Sequence, residues 1–291
     1  MAGLTDYAAQ NYLNWETGQR AMPAVPAVYV GLFTTAPTTD AGVTGATEAS
    51  GTAYARVQIS GTVAATASWT TGTSITMTTN PGWVVAGMNV YDSTNSQQIG
   101  TVSTYVTTAL TLVTGAAHAS SGSTDNLVFS AFAPSVASTG TEPVVTPAQS
   151  ANTNTVVTFA QAGASWGTVT SLGFFDALTA GNCLRWDFLG NFKWLPFSGT
   201  LASPSVLTVP AHGFSNGDTV IVTSKTGGTL PSAGSWAGAL TVAGVATDTF
   251  TAGVNAASAS GDGLVRKITT QAIASGVTMS ITANTMIVSL A

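Results

Sequence analysis

SVLTVPAHGFSNGDTVIVTS at residues 205–224 and ITMTTNPGWVVAGMNVYDS at residues 75–93 are imperfect copies of one β pattern. Each opens on a short strand, turns through proline and glycine around an aromatic residue (Phe214, Trp83), and takes a G-x-x-V step into a second strand. The likeness continues downstream. IGTVSTYVTTALTLV (99–113) answers GALTVAGVATDTFTAG (238–253), and a Ser/Gly-rich turn leads each copy into a last strand, NLVF at 126–129 and GLVRKI at 263–268. A repeat of this length within a longer chain indicates a module used twice. It divides the sequence into a host domain in three pieces (1–60, 133–198, 265–291) and two inserted β modules (61–132 and 199–264).

The host pieces read as strands apart from their start. Leu4, Ala8, Tyr12 and Trp15 fall at i, i+4, i+8 and i+11, one face of a helix. Thr5 is the expected N-cap, Asp6 suits the positive helix end, and Gly18 is the expected stop. Beyond a proline-containing linker at 22–26, Val28-Tyr29-Val30-Gly31-Leu32-Phe33 has the β-branched and aromatic content of a buried strand. Further strands are expected at Tyr54–Ile59 and Thr155–Phe159. Leu184, Trp186 and Phe188 alternate with Arg185 and Asp187, as in a strand with one buried face. Gly190-Asn191 reads as a hairpin turn returning through Phe192-Lys193-Trp194. The chain closes on two alternating strands, Val277–Ile281 and Met286–Leu290, expected to pair with each other. The fold class is therefore mainly β: an antiparallel β-sandwich host with a short N-terminal helix and two small inserted β modules.

Composition narrows the function classes. Only 7% of the 291 residues are charged, against roughly a quarter in ordinary domains. Mean hydropathy is +0.33, yet no apolar run approaches the roughly 20 residues of a membrane span. A surface so poor in charge favours packing against other subunits, because little charge must be desolvated. Net charge is −5, and the scattered Lys and Arg form no stripe that could follow a phosphate backbone, so neither nucleic acid nor membrane is an expected partner. The N-terminus carries Asp6 where a signal peptide would need basic and then apolar residues. The single Cys183 cannot form an intrachain disulfide.

M-A-G-L-T-D-Y-A (1–8), V-Y-V-G-L-F-T-T-A-P (28–37), G-T-A-Y-A-R-V (51–57) and S-W-G-T-V-T-S-L-G-F-F-D-A (165–177) together resemble a family of small bacteriophage virion proteins. Its members are commonly labelled tail fibre or minor structural proteins. The likeness covers the host domain, roughly half the chain, in unbroken order. The second module is similar to a β unit of phage structural proteins with an H-G-F-x-x-G-D-x-V signature, here His212 to Val220. The resemblance implies a virion component on tail, neck or head surface, made in the host cytoplasm, with other virion proteins as partners.

No chemistry-bearing constellation stands out. Gly163-Ala-Ser165-Trp-Gly167 matches G-x-S-x-G, but a strand pattern follows where a nucleophile elbow needs a helix. His118 and His212 both lie in the modules. The first copy lacks the His and Asp of the signature, which marks His212 and Asp218 as turn formers. Asp248, Asn255 and Asp262 fit no calcium-loop spacing. No catalytic, metal or cofactor site is expected. Residues 166–197 instead hold three of the seven Trp and five of the eleven Phe, a density suited to core, to a subunit contact or to a sugar-stacking platform. The expected function is a non-enzymatic virion structural protein acting by assembly and display. The alternative is an adhesion protein that recognises host-surface glycans. Leu4, Tyr12 and Trp15 on the helix, with Trp186 and Trp194, are the candidate assembly contacts. A symmetric homo-oligomer is expected, a trimer before a pentamer or hexamer.

Overall fold

Val30, Leu32 and Phe33 are fully buried, and the strand that carries them is central to the host sheet, as its composition predicts. The computed structural model describes residues 3–21, 27–37, 43–120, 124–132, 149–151, 155–190, 193–225, 229–231, 236, 238–254, 260–283 and 285–289. In chain order the elements begin β1 (Gly3–Leu4), α1 (Asp6–Glu16), β2 (Ala27–Thr35), β3 (Thr47–Glu48) and β4 (Val57–Ala64). The first repeat contributes β5 (Ser74–Thr76), β6 (Asn89–Asp92), β7 (Gln97–Val106), β8 (Ala109–Leu112) and β9 (Asn126–Ser130). The host resumes with β10 (Gln149–Ala151), β11 (Val157–Thr158), β12 (Gly167–Val169), β13 (Ser171–Phe175) and β14 (Cys183–Phe188). The second repeat holds β15 (Leu195–Gly199), β16 (Val206–Thr208), β17 (Thr219–Thr223), β18 (Leu240–Thr241), β19 (Thr249–Thr251) and β20 (Gly261–Ile268). Last come β21 (Gln271–Ile273), β22 (Ser280–Ile281) and β23 (Ile287–Ser289).

The host is an antiparallel sandwich. One layer is the sheet β1-β14-β13-β2-β4, with β3 beside β2. The other is a ribbon in which the described residues of 149–169 run antiparallel to those of 271–289. β10 pairs with β23, β11 with β22 and β12 with β21. Amide bonds from Phe159 to Met279 and from Ala162 to Val277, both 2.9 Å, continue the ladder between them. Val30 and Leu32 of the sheet meet Phe159, Trp166, Ile273 and Met279 of the ribbon in one core. Phe33, Phe175, Cys183 and Trp186 form a second cluster on the opposite face of the sheet. Gly31 and Gly173 are register partners there. A Cβ at Gly31 would stand 2.8 Å from the Phe175 ring, and one at Gly173 would stand 2.7 Å from the Phe33 ring. The two glycines let those rings lie flat on the backbone.

Two expected pairings are corrected. The closing strands do not pair with each other; each pairs with the returning host segment, because burial of Phe159 and Trp166 requires a cover that a terminal hairpin would not supply. The expected hairpin after β14 is also replaced. Asn191 and Phe192 lie outside the described residues, and β15 beyond them pairs with β16 and β20 rather than β14. Leu290 and the 22–26 linker likewise lie outside the described residues.

The repeats share one strand order. The first runs β4-β9-β6-β7-β8-β5 and closes on itself through the bridge Ala65–Met77. The second runs β15-β20-β17-β18-β19-β16 and returns to β15, with the β18–β19 step made by the bridge Ala243–Thr251. Numbered within each copy, both are six-stranded closed barrels of circular order 1-6-3-4-5-2. Closure removes exposed strand edges. The shared turn is alike down to its hydrogen bonds: Gly87 donates to Val102 at 2.9 Å and Gly217 to Val242 at 2.8 Å. Both glycines have a φ near +90°, 88° and 89°, which explains the G-x-x-V step. The barrels differ in attachment. The first shares β4 with the host sheet and its core is continuous with the host core; the second has a core of its own around Leu207, Val220, Phe250 and Val265. β4 runs across residues 60/61 and β20 across 264/265, so strands pass through the sequence positions where host and modules were expected to meet.

Candidate assembly surface

The N-terminal helix is built as its caps dictate. Thr5 Oγ1 accepts from the Ala8 amide at 3.4 Å and donates to the Cys183 carbonyl at 2.6 Å, while the Thr5 amide donates to the Leu184 carbonyl at 3.1 Å. The buried threonine thus fixes the start of α1 to β14. Gly18, at φ 70°, follows the C-cap Thr17. Leu4 departs from the expected stripe: it sits on β1, register partner of Arg185, because the helix begins only after Thr5. Of the remaining stripe, Ala8 is half-buried while Tyr12 and Trp15 face outward. Tyr12 is 36% and Trp15 47% exposed, their ring centroids 5.6 Å apart. α1 packs on β14 yet buries none of its own residues.

The other two candidates meet at a cleft of about 510 Å³ between the host sheet and the second barrel. Trp186 and Phe188 of β14 line the host side, Ile221 and Val222 of β17 the barrel side, with Trp194 and Trp236 joining them. Trp186 shows only 2% of its surface, so it belongs to the core cluster as much as to the cleft; Trp194 is half-buried. Among the described residues none that lines this cleft is charged. Its walls are fixed by a buried guanidinium: Arg266 donates to Asp187 Oδ1 at 2.8 Å and to the Gly190 carbonyl at 2.9 Å. The Thr269 amide adds a 2.8 Å bond to the Leu189 carbonyl. Asp187, which alternates with Trp186 along β14, is this clamp's acceptor. Trp236 and Arg266 escaped the sequence reading. Trp236 is the sole aromatic between Phe214 and Phe250, and that isolation was the available signal.

The signature residues act within their own barrel. His212 Nδ1 accepts from the Phe214 amide at 2.8 Å, and its ring packs edge-on to Phe250 at 5.3 Å. Asp218 accepts from the Ser215 amide at 2.8 Å and pairs with Lys267 at 2.8 Å. Burial opposes its ionisation, but these contacts outweigh it and hold the carboxyl below its usual range. Met88 holds the matching place in the first copy, with its amide bonded to Val85 as that of Asp218 is to Ser215. His118 Nδ1 lies 2.8 Å from the Ala119 carbonyl and Nε2 3.9 Å from the buried Asp92. Ser165 Oγ donates to the Ile273 carbonyl at 3.2 Å, and the strand β12 follows it. Asp248 accepts from the Ala211 amide at 2.8 Å and Asp262 pairs with Lys225 at 2.5 Å; Asn255 lies outside the described residues.

The model of the podophage GP4 fiber I protein gp80 family matches residues 3–95 and 100–203, well over half of the chain. The chain belongs to this family. It is a phage virion structural protein of the fibre kind, and as such associates with other virion proteins. No curated protein matches it. The match takes in the host up to β14, the first barrel and β15, and it ends before β16. Most of the fibre protein's second barrel and its closing strands therefore lie beyond the matched region. Among the described residues no helix is long and apolar enough to cross a membrane.

Proposed function

We propose that the fibre protein is a non-enzymatic assembly subunit that associates with copies of itself and holds its two barrels outward as display modules. The observation that carries this is α1. A helix of 11 residues is marginal alone in water, yet this one is pinned to the sheet edge at Thr5 while Tyr12 and Trp15 point into solvent. A subunit interface is the environment in which such aromatic pairs become anchors. The low charge of the chain, 7%, suits the same role, since packing neutral faces leaves no unpaired charge buried. The half-buried Trp194 is the second candidate anchor, and Leu4 and Trp186 support the two anchors from β1 and β14. Cryo-EM of the virion tests this directly: α1 is expected in contact with another copy. A particle in which every copy touches only unlike chains, or in which α1 faces solvent, sinks the reading.

A further inference from the structure

Among the described residues two features of the fibre protein remain unpartnered, and they match. One is the Tyr12–Trp15 pair on α1. The other is the cleft between host and second barrel, whose volume of about 510 Å³ falls within the range of about 300–1,000 Å³ typical of sites that bury a ligand. We infer that the Tyr12–Trp15 pair of one copy seats in the tryptophan-lined cleft of the next, joining subunits head to tail in a closed ring. This rests on the self-association proposed above and specifies its joint. Among the described residues the cleft offers Trp186, Trp194 and Trp236 but no carboxylate, carboxamide or guanidinium, so that lining suits an aromatic knob better than a saccharide, which needs convergent polar side chains. The stripe is equally neutral: the charged residues of α1 are Asp6 and Glu16 at its two ends. Trp186 supplies a more specific pointer. It lines the cleft, and among the described residues its buried indole N–H has no hydrogen-bond partner. A buried donor left unpaired is costly, and a tyrosine hydroxyl that reached it on docking would be an acceptor for it. Stripe and cleft are different surfaces, so the contact is heterologous, and repetition of it closes a ring when the rotation allows.

The test uses the full chain and mass measurement of assemblies in solution. Three variants are made: Y12A/W15A removes the knob, W194A removes an anchor of the cleft, and T35R sets a charge at the cleft's exposed Thr35 without touching the core. Each alone is expected to weaken assembly at least about 30-fold, the equivalent of about 2 kcal/mol at a hot spot, with unchanged circular dichroism. Mixing the knob variant with T35R is expected to give a one-to-one heterodimer and nothing larger, because one intact joint remains between an unaltered cleft and an unaltered helix. A knob variant that assembles as the unaltered protein does overturns the inference, as does a mixture that stays monomeric. Self-association would survive either result with another joint. An unaltered protein that is monomeric at all concentrations removes the self-association reading itself. Binding of a neutral oligosaccharide that W194A abolishes, with assembly intact, would assign the cleft to a glycan and overturn the joint.

Discussion

Arg56 shows how much of this fold depends on a few charges. Its guanidinium forms a two-pronged pair with Glu48, 2.8 Å at each contact, and donates to the Ala177 and Ala180 carbonyls at 2.9 and 2.6 Å. Its Cζ also lies 3.4 Å from the centre of the Phe175 ring. Only 8% of the side chain is exposed. Removing one partner of a buried pair leaves the other uncompensated, so Arg56→Met is expected to cost about 3–5 kcal/mol in urea unfolding. Arg56→Lys should recover little, because an ammonium cannot reproduce the fork. A loss below about 1 kcal/mol would show the network is peripheral. Cys183 gives a prediction with a sign. Burial pushes its thiol up to about 12, whereas a free thiol ionises near about 8.5. An acid held neutral by the fold contributes stability below the unfolded value and loses it as pH rises toward the folded one. The urea midpoint should therefore be level to about pH 8 and fall above it, and Cys183→Ala should remove the first part of the fall. Neither Arg56 nor Arg266 was legible as structural in the sequence. Their acceptors, Glu48 and Asp187, are eight and seventy-nine residues away, and spacing carries no signal for such pairs.

Among the elements, those specified locally were legible and those specified by partners were not. Thr5, Asp6 and Gly18 place α1 within a residue or two, because caps act on the backbone beside them. Alternation at 277–281 and 286–290 reveals strands but not what they pair with, and the 149–169 segment claims them both. These differences predict opposite mutational costs. Trp15→Ala and Tyr12→Ala should each change stability by no more than about 0.5 kcal/mol, as exposed sites do. Trp166→Ala should cost about 3–5 kcal/mol, since its ring meets Tyr54 edge-on at 5.3 Å and its N–H donates to the Thr52 carbonyl at 3.1 Å inside the ribbon–sheet core. Thermal unfolding of the three variants ranks them. A Trp15→Ala protein as damaged as Trp166→Ala would mean that α1 is part of the host core.

For the whole molecule, the repeat could be read from Gly87 and Gly217 because a positive φ constrains residue type wherever the turn occurs. The unequal attachment of the two barrels could not, since it depends on which strand each shares. That inequality sets the last prediction. The second barrel leaves the host where it enters: Thr269 bonds to Leu189, and Leu195 is register partner of Val265. Its core is its own, and Arg266 is the main clamp to Asp187. Replacing 193–267 by a short Gly/Ser linker should therefore leave the host sandwich and first barrel folded, with solubility lowered by the uncovered Trp186 and Phe188. Deleting 61–132 cuts β4 in two, removes β9 and opens a core that runs unbroken from Ile59 and Phe129 to Leu32 and Phe159. That deletion should unfold the host. Circular dichroism melts of both deletions decide the matter: a cooperative transition is expected only without the second barrel. Retention of one after loss of 61–132 would show that the host core closes without the first barrel, despite the strand they share.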